Sequence, residues 1–185
     1  LNNSTGDFFR LYNLAFFSSG IFLDIKDSSE PEEPVYIKYD LPENKNYLAP
    51  LTIISAGKFS KIRIVEEINN GNCDELSFVN SFSYITQEDS SDLTYVTREN
   101  FNESVFHFRN MVSIEKKDSS LKNFYFNMGG YKGKSVLEST ITGKGGVVET
   151  YGAGALAKRE LLDTDIRINH NAGNSQSKLF FKIVA

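Results

Sequence analysis

Residues 105–128 read VFHFRNMVSIEKKDSSLKNFYFNM, and this stretch decides the fold class. Val105–Glu115 and Leu121–Met128 are rich in aromatic and β-branched residues that alternate with polar ones, which predicts two strands. Asp118-Ser119-Ser120 between them is a turn sequence. The stretch therefore predicts a strand, a turn and a second strand, with no helix between them.

The same pattern continues on both sides of this stretch. Turn sequences such as Asn69-Asn70-Gly71-Asn72 and Asp89-Ser90-Ser91-Asp92 separate short runs in which apolar and polar residues alternate. Ile62 and Ile64, for example, alternate with charged residues, and Phe124 and Phe126 alternate with polar ones. The remaining predicted strands are Ile21–Ile25, Val35–Leu41, Leu51–Ser55, Lys61–Glu67, Leu76–Thr86, Leu93–Arg98, Ser135–Thr142, Val147–Tyr151, Glu160–Asn169 and Lys178–Val184.

One helix is predicted, over Asp7–Phe17. Its apolar residues Phe8, Leu11, Leu14 and Ala15 follow helical spacing, and Ser18-Ser19-Gly20 ends it. The many phenylalanines predict that most of this helix is buried. The segments Asp27–Pro34 and Pro42–Pro50 are predicted to be solvated loops, too short to be domain linkers.

The spacing of the strands favours a solenoid. Their first apolar residues recur at irregular steps of 11 to 17 residues, which fits one or two short strands per turn of a solenoid. Helical crossovers are lacking, so βαβ folds are excluded. An irregular barrel or sandwich remains the alternative. We expect one domain over residues 1–185.

Composition excludes several classes of protein. The 185 residues carry a net charge of −4 with cations scattered among the acids, which argues against nucleic-acid binding. No apolar run is long enough for a transmembrane helix, and the start of the chain lacks the features of a secretory signal. The single cysteine, Cys73, excludes a disulfide framework and a four-thiolate metal site within one chain.

Candidate chemical motifs are weak. Gly152-Ala153-Gly154-Ala155-Leu156-Ala157 matches a dinucleotide fingerprint but precedes a strand, so we expect a turn where solenoid turns pass closely. Gly143-Lys144-Gly145-Gly146 lacks the spacing of a phosphate-binding loop and is also predicted to be a turn. His107 is predicted to be a hydrogen-bonded structural histidine on the face opposite Phe106 and Phe108.

Two further features leave alternatives open. Asp163 and Asp165 share one face of a strand, which suits acid–base chemistry in a carbohydrate-active β-helix but equally suits a solvated strand. Cys73 lies in a predicted turn, as an exposed thiol or as a soft-metal ligand completed from outside the chain. No catalytic or metal-binding constellation is found.

The order of features resembles the SufB/SufD family, the scaffold proteins of Suf iron–sulfur cluster assembly. The resemblance covers nearly the whole chain at low identity. Its most specific part is His170-Asn171-Ala172-Gly173-Asn174-Ser175-Gln176-Ser177 followed by Lys182, and we expect His170, Asn174, Ser177 and Lys182 to be mainly structural. The other matching segments are Leu11–Ile21, Glu33–Ile37, Val65–Glu67, Asn80 and Ser104–Phe108.

Fold and function follow from this resemblance as expectations. It implies an all-β, right-handed parallel β-helix and a non-catalytic scaffold that acts with the ABC-type ATPase SufC and a SufB/SufD paralogue in the cytoplasm. The helical start favours SufD over SufB, and a homodimer is kept open. No cofactor is expected in this fragment, although iron or a cluster belongs to the full complex.

The resemblance also implies that the family continues beyond this motif. Family members carry further turns of the β-helix and a helical region that docks the ATPase. We therefore expect Leu1–Ala185 to be a core fragment that does not bind the ATPase by itself. The alternative function is a carbohydrate-active or carbohydrate-binding β-helix protein.

Overall fold

Thirteen strands and one helix make up the computed structural model, which describes residues 5–42, 45–70, 75–157 and 159–185. Helix α1 spans Thr5–Phe16, and it is the only helix in these ranges. None of the described residues forms a helix with the length and hydrophobicity that a membrane crossing requires. The strands are β1 Ser19–Ile25, β2 Val35–Asp40, β3 Tyr47–Leu48, β4 Pro50–Ala56, β5 Lys61–Asn69, β6 Ser77–Gln87, β7 Asp92–Phe101, β8 Val105–Glu115, β9 Ser120–Gly129, β10 Lys132–Ile141, β11 Val147–Ala155, β12 Leu161–His170 and β13 Gln176–Val184.

The strands form two parallel sheets that face each other as a β-solenoid. Sheet A has the order β1-β4-β6-β8-β10-β12, with β3 paired to β6, and sheet B has the order β2-β5-β7-β9-β11-β13. From β4 onward the chain alternates strictly between the sheets, so each solenoid turn adds one strand to each. The expected all-β parallel β-helix is thereby confirmed, and a barrel or sandwich is not what forms.

The turns from sheet A to sheet B repeat one geometry. Each contains one residue with positive φ, and these positions recur every 27 to 31 residues. The backbone N–H at this position donates to a carbonyl of the next turn, as from Ser90 to Lys117 at 2.8 Å. A serine that follows often donates its hydroxyl to the carbonyl three residues back, as from Ser91 to Glu88 at 2.8 Å. The positive-φ residues are Ser28, Phe59, Ser90, Asp118, Gly145 and Asn174.

Helix α1 lies on the outer face of sheet A. The side-chain amide of Asn13, which is buried, donates to the carbonyls of Pro50 at 3.0 Å and Asn80 at 2.6 Å. The Asn80 amide in turn donates to the carbonyl of Phe9 at 2.9 Å. The ring of Phe9 stacks on Phe108, so aromatic contacts and amide hydrogen bonds together hold the helix.

The prediction of a mostly buried helix is wrong. Phe8, Leu11 and Leu14 of the predicted apolar face are 62%, 64% and 45% exposed, and Ala15 is exposed as well. The side of the helix that contacts the sheet instead contains Phe9 and Asn13, each one residue away from a predicted apolar position. Asn13 faces the sheet because its amide donates to backbone carbonyls there, which an apolar side chain could not do.

Of the two predicted loops, one is a loop in the structure and the other contains a short strand. Asp27–Pro34 is a largely exposed connection between β1 and β2. Pro42–Pro50 contains β3, and Leu48 and Ala49 are buried, so this loop is more ordered than expected in its second half. Its pairing with β6 explains the difference, because the partner strand lies far along the chain and local sequence does not reveal it.

Gly143 tests how closely the turns stack. A Cβ atom at this position would lie 2.0 Å from the backbone nitrogen of Lys117 in the turn below. We expect Gly143→Ala to lower the free energy of unfolding by about 2 kcal/mol, because backbone cannot move aside as a flexible side chain can. Urea unfolding followed by circular dichroism measures this loss.

Gly173 in the last turn is the matched control. A Cβ atom there meets nothing within 4 Å. Gly173→Ala should change stability by less than about 0.5 kcal/mol. Equal losses for the two variants would contradict the tight stacking of the turns.

Candidate functional site

A buried ion pair occupies the space between the two sheets. Arg109, in the middle of β8, points inward and its side chain is 1% exposed. Its Nη1 donates to Oε1 of Glu66 on β5 at 2.8 Å. The other carboxylate oxygen of Glu66 accepts from the hydroxyl of Thr52 at 2.6 Å. The pair thus joins sheet A to sheet B across the interior.

Hydroxyl groups complete the surroundings of this ion pair. Nη2 of Arg109 donates to Ser83 at 3.1 Å, Tyr95 at 3.1 Å and Thr97 at 3.0 Å. Burial lowers the pKa of Arg109, but the negative charges of its neighbours outweigh burial and leave the pKa above its ordinary value. The guanidinium is therefore charged, and its hydrogen bonds compensate part of the desolvation cost.

A second polar cluster lies beside the first and centres on Glu99 of β7. One of its oxygens accepts from the Tyr125 hydroxyl at 2.6 Å and from the Asn127 amide at 3.1 Å. Burial raises the pKa of Tyr125 well above its ordinary value, and the adjacent Glu99 raises it further. Tyr125 therefore stays protonated and serves as a donor to the carboxylate.

His107 adjoins this second cluster. It lies inside the solenoid while Phe106 and Phe108 point outward, as the alternation predicts. The prediction that it is hydrogen-bonded is wrong: within the described residues neither ring nitrogen has a partner, and Nδ1 is 3.7 Å from Glu99. Burial lowers its pKa more than Glu99 raises it, so the ring is neutral at physiological pH.

Glu115 is a third buried acid, at the inner end of β8. Both of its oxygens are buried and accept no well-aligned hydrogen bond from the described residues. Burial raises the pKa of Glu115 to about 7. Ser113, two residues earlier, donates its hydroxyl to Ser139 at 2.7 Å, which continues the polar interior towards β10.

The family motif of the sequence forms one compact turn. His170 contacts the hydroxyls of Ser175 and Ser177, at 2.7 Å from Nδ1 and 3.0 Å from Nε2. Asn174 supplies the positive φ of this turn, at 55°. The histidine thus bridges the end of β12 to the start of β13, with hydroxyl groups as its partners.

Lys182 is not part of this cluster. His170 and Ser177 pair in register with the inward-facing Ile141 and Val148, whereas Lys182 pairs with Ala153 on the outer face of sheet B. The four residues of the sequence motif are therefore divided between two sides of the sheet.

The two glycine-rich motifs of the sequence differ in structure: one is a turn and the other belongs to a strand. Gly143-Lys144-Gly145-Gly146 is a turn, as predicted. Gly152-Ala153-Gly154-Ala155 is part of strand β11 and not a turn, which corrects that prediction. Gly152 faces inward, and a Cβ atom there would lie 2.0 Å from the ring of Phe181. Glycine is needed because it leaves room for this aromatic ring.

The predicted acidic pair is fully engaged on the surface. Asp163 and Asp165 lie on the outer face of β12, where Lys134 and Arg167 form ion pairs with them.

Cys73 lies outside the described residues. Within the described ranges no group of three or more histidine, cysteine, aspartate or glutamate side chains is arranged to hold a metal ion.

The sequence pattern does not single out Arg109 as a structural centre. Glu66 enters only through the segment Val65–Glu67 of the family resemblance. The signal that was present is a charged residue at an inward position of a strand, flanked by residues of a buried face. Such a charge is retained in a protein interior only when it is paired.

Two parallel sheets with inward-pointing polar clusters define a β-solenoid whose interior is tied together by charge. Comparison with known protein families shows the family to which this solenoid belongs. The family model described as "SUF system FeS cluster assembly, SufBD core domain" matches residues 39–185. The chain belongs to this family and thus to the proteins of iron–sulfur cluster assembly. No curated protein matches the chain.

The Arg109–Glu66 pair gives the first test of the interior. Arg109→Met leaves Glu66 buried without its cation, and we expect a loss of about 3–5 kcal/mol in the free energy of unfolding. Adding Glu66→Gln should recover part of this loss, since the buried charge is then absent. Urea unfolding of the single and double variants measures both values.

The exposed pair of Arg98 with Glu67 is the matched control. It joins the neighbouring strands β7 and β5 on the outer side, with Arg98 52% exposed. Arg98→Met should cost less than about 1 kcal/mol because water solvates the remaining charge. If Arg109→Met costs no more than Arg98→Met, the interior pair does not hold the sheets together.

Glu115 predicts a dependence of stability on pH. Its pKa is raised to about 7 in the folded state, so the folded protein binds more protons than the unfolded chain between the ordinary glutamate pKa and 7. Stability contributed by protonated Glu115 is therefore complete at low pH and is lost as pH rises to about 7, by roughly 3 kcal/mol.

Thermal unfolding between about pH 4 and pH 8 measures this effect. Glu115→Gln should reduce the loss of stability on raising the pH across this range. The control variant is Glu149→Gln, which changes a carboxylate on the outer face of β11 and should leave the wild-type pH dependence in place. An unchanged slope in Glu115→Gln would show that Glu115 is not the group responsible.

Proposed function

We propose that this chain is the core of a non-catalytic scaffold subunit in iron–sulfur cluster assembly. The observation that carries the proposal is the family match over residues 39–185, which includes all of the solenoid from β3 onward. The described strands form one continuous solenoid, which supports treating the chain as a single domain.

The described side chains agree with a structural use of the polar groups. Arg109, Glu66 and Glu99 are engaged with one another or with neighbouring hydroxyls and amides in the interior. Asp163 and Asp165, which would have suited a carbohydrate-active enzyme, are bound in surface ion pairs. The nascent cluster is the cargo of the assembly in this proposal, and the chain supplies a rigid body for it.

Its partners in this proposal are a SufC-like ATPase and a SufB/SufD paralogue, in the cytoplasm. The SufD-like start of the chain supports assignment as SufD. A homodimer is the alternative assembly, and the exposed Phe8, Leu11 and Leu14 of α1 are consistent with a further contact there. Light scattering of the purified chain gives its molar mass and decides between monomer and homodimer.

Copurification tests the scaffold role. The tagged full-length protein that contains this chain should retain both an ABC-type ATPase and a paralogous scaffold subunit when isolated from its own cells. The 185-residue chain alone should not retain the ATPase. A lysate without the tagged protein controls for adsorption to the resin.

Two results would count against this proposal. One is a full-length protein that retains neither partner. The other is activity on polygalacturonate, which would favour the carbohydrate-active alternative.

A further inference from the structure

An apolar groove runs along strand β11 on the outer face of sheet B. Its floor is Ala153 and Ala155, whose small side chains lie between larger ones on both neighbouring strands. Phe126 and Met128 of β9 form one wall, in register with the two alanines. Lys182 and Val184 of β13 form the other wall in the same register, and the groove has a volume of about 510 Å³.

The walls of this groove are unusually apolar for a solvent-facing surface. Phe126, Met128 and Val184 are 38%, 40% and 58% exposed. The aromatic surface continues beside the groove, where Phe124 stacks on Tyr151 with ring centroids 5.2 Å apart and Phe180 is exposed. Contiguous apolar surface of this kind marks binding sites, whereas single scattered hydrophobic residues on a surface do not.

Positive charge borders the groove. Arg98, which pairs with Glu67, and Lys182 line it. Lys122 and Lys178 point outward further along β9 and β13, in register with Glu149 of β11 between them, and none of the three lysines forms an ion pair with a described residue. Lys178 lies over the ring of Tyr151, with Nζ 5.4 Å from the centroid. Glu149 is the only acid on the outer face of β9, β11 and β13, so this face is cationic on a chain whose net charge is −4.

The spacing of the lysines suits a helical ligand. Lys178 and Lys182 are four residues apart on β13, which places their Cα atoms roughly 13 Å apart. A helix lying along the groove presents carboxylates at positions i and i+7, about 10.5 Å apart, and flexible lysine side chains reach across the difference. Its apolar residues on the same face then enter the space above Ala153 and Ala155.

We propose that this groove binds an acidic amphipathic helix of a partner protein. The apolar side of the helix packs between Phe126 and Val184, and its acidic flank pairs with Lys178 and Lys182. Apolar contact supplies most of the binding free energy, and the lysines select acidic over basic helices. This site does not depend on the proposed scaffold role, because it rests on sheet B alone.

A labelled peptide tests the groove directly. The probe is a fluorescein-labelled peptide of roughly sixteen residues, with leucines at helical i, i+3, i+4 and i+7 spacing and glutamates on the flanks. The same peptide with lysine in place of glutamate is the charge control. Fluorescence anisotropy with the purified chain should show binding of the acidic peptide and at least about tenfold weaker binding of the basic one.

Two variants locate the binding. Ala155→Phe fills the floor of the groove, and Lys182→Glu reverses the charge of its wall. Each should weaken binding of the acidic peptide by at least about tenfold. Both residues are exposed at the surface, so both variants should fold, which circular dichroism verifies.

Lys132→Glu is the matched control for charge. Lys132 also lies over an aromatic ring, that of Tyr131 at 5.3 Å, but on sheet A. This variant makes the same change in net charge and should alter the affinity less than about twofold. Equal weakening by Lys132→Glu and Lys182→Glu would overturn the proposal, since only net charge would then matter.

Three other results would also overturn it. The first is equal affinity for the acidic and basic peptides, which shows non-specific adsorption. The second is unchanged affinity in Ala155→Phe. The third is binding to phosphatidylglycerol vesicles that the two groove variants abolish while peptide binding persists, which assigns the face to lipid.

Discussion

Stacking of the return turns is the constraint on which the rest of this structure depends. Each turn from sheet A to sheet B places one residue at positive φ and passes a backbone hydrogen bond to the next turn, as Asp118 does to Lys144 at 3.0 Å. Serine hydroxyls close these turns internally, at Ser60, Ser91, Ser119 and Ser175. Because each turn rests on the turn below, the register of every strand pair is fixed at its end.

A fixed register decides which side chains meet in the interior. Side chains alternate between the two faces of a strand, so a slip of one residue would turn Arg109 outward and leave Glu66 buried without its cation. The ion pair is thus compatible with one register only. Because desolvation offsets much of the attraction between buried charges, the presence of the pair is weak evidence for net stability.

The sequence predicts the strands well because alternation and turn chemistry are local properties. Val105–Glu115 is predicted with the bounds that the structure has, and most other strands differ by a few residues at their ends. The repeat is less visible, because the unit is a pair of strands and its recurring features are confined to one short turn: a positive-φ position and, in most turns, a serine that follows it. Ser28, Phe59 and Gly145 are among the residues that occupy the positive-φ position, and their side chains differ too much for one residue type to mark it.

The local sequence pattern does not predict which face of a strand or helix is buried. Alternation in β9 separates Phe124 and Phe126 from Tyr125 and Asn127, but it does not say which pair is inside. The structure buries Tyr125 and Asn127, because Glu99 offers them a hydrogen-bond acceptor in the interior. In α1 too the local pattern does not show the contacting face, since Asn13 and not the leucines faces the sheet.

For His170 and Ser177 the motif is seen in the sequence, but their contact appears only once the turn has formed.

Burying polar groups has a consequence for the outer surface. The inward positions of sheet B are taken in part by Glu66, Thr97 and Tyr125, which lie in register on successive strands. The outward positions beside them carry Val65, Val96 and Phe124, followed by Tyr151 and Phe180. The usual division into apolar interior and polar exterior is therefore partly reversed along this sheet.

Such a reversal is costly for an isolated protein and useful for one that assembles. Apolar surface that the interior does not use gains free energy only when another molecule covers it. The strands of the outer face are already paired in register, so a partner that binds there meets a preformed surface. The polar clusters and the apolar groove are thus two sides of one arrangement: charged and hydroxyl side chains occupy part of the interior of sheet B, beside its hydrophobic core, and apolar side chains lie on the outer face of the same strands.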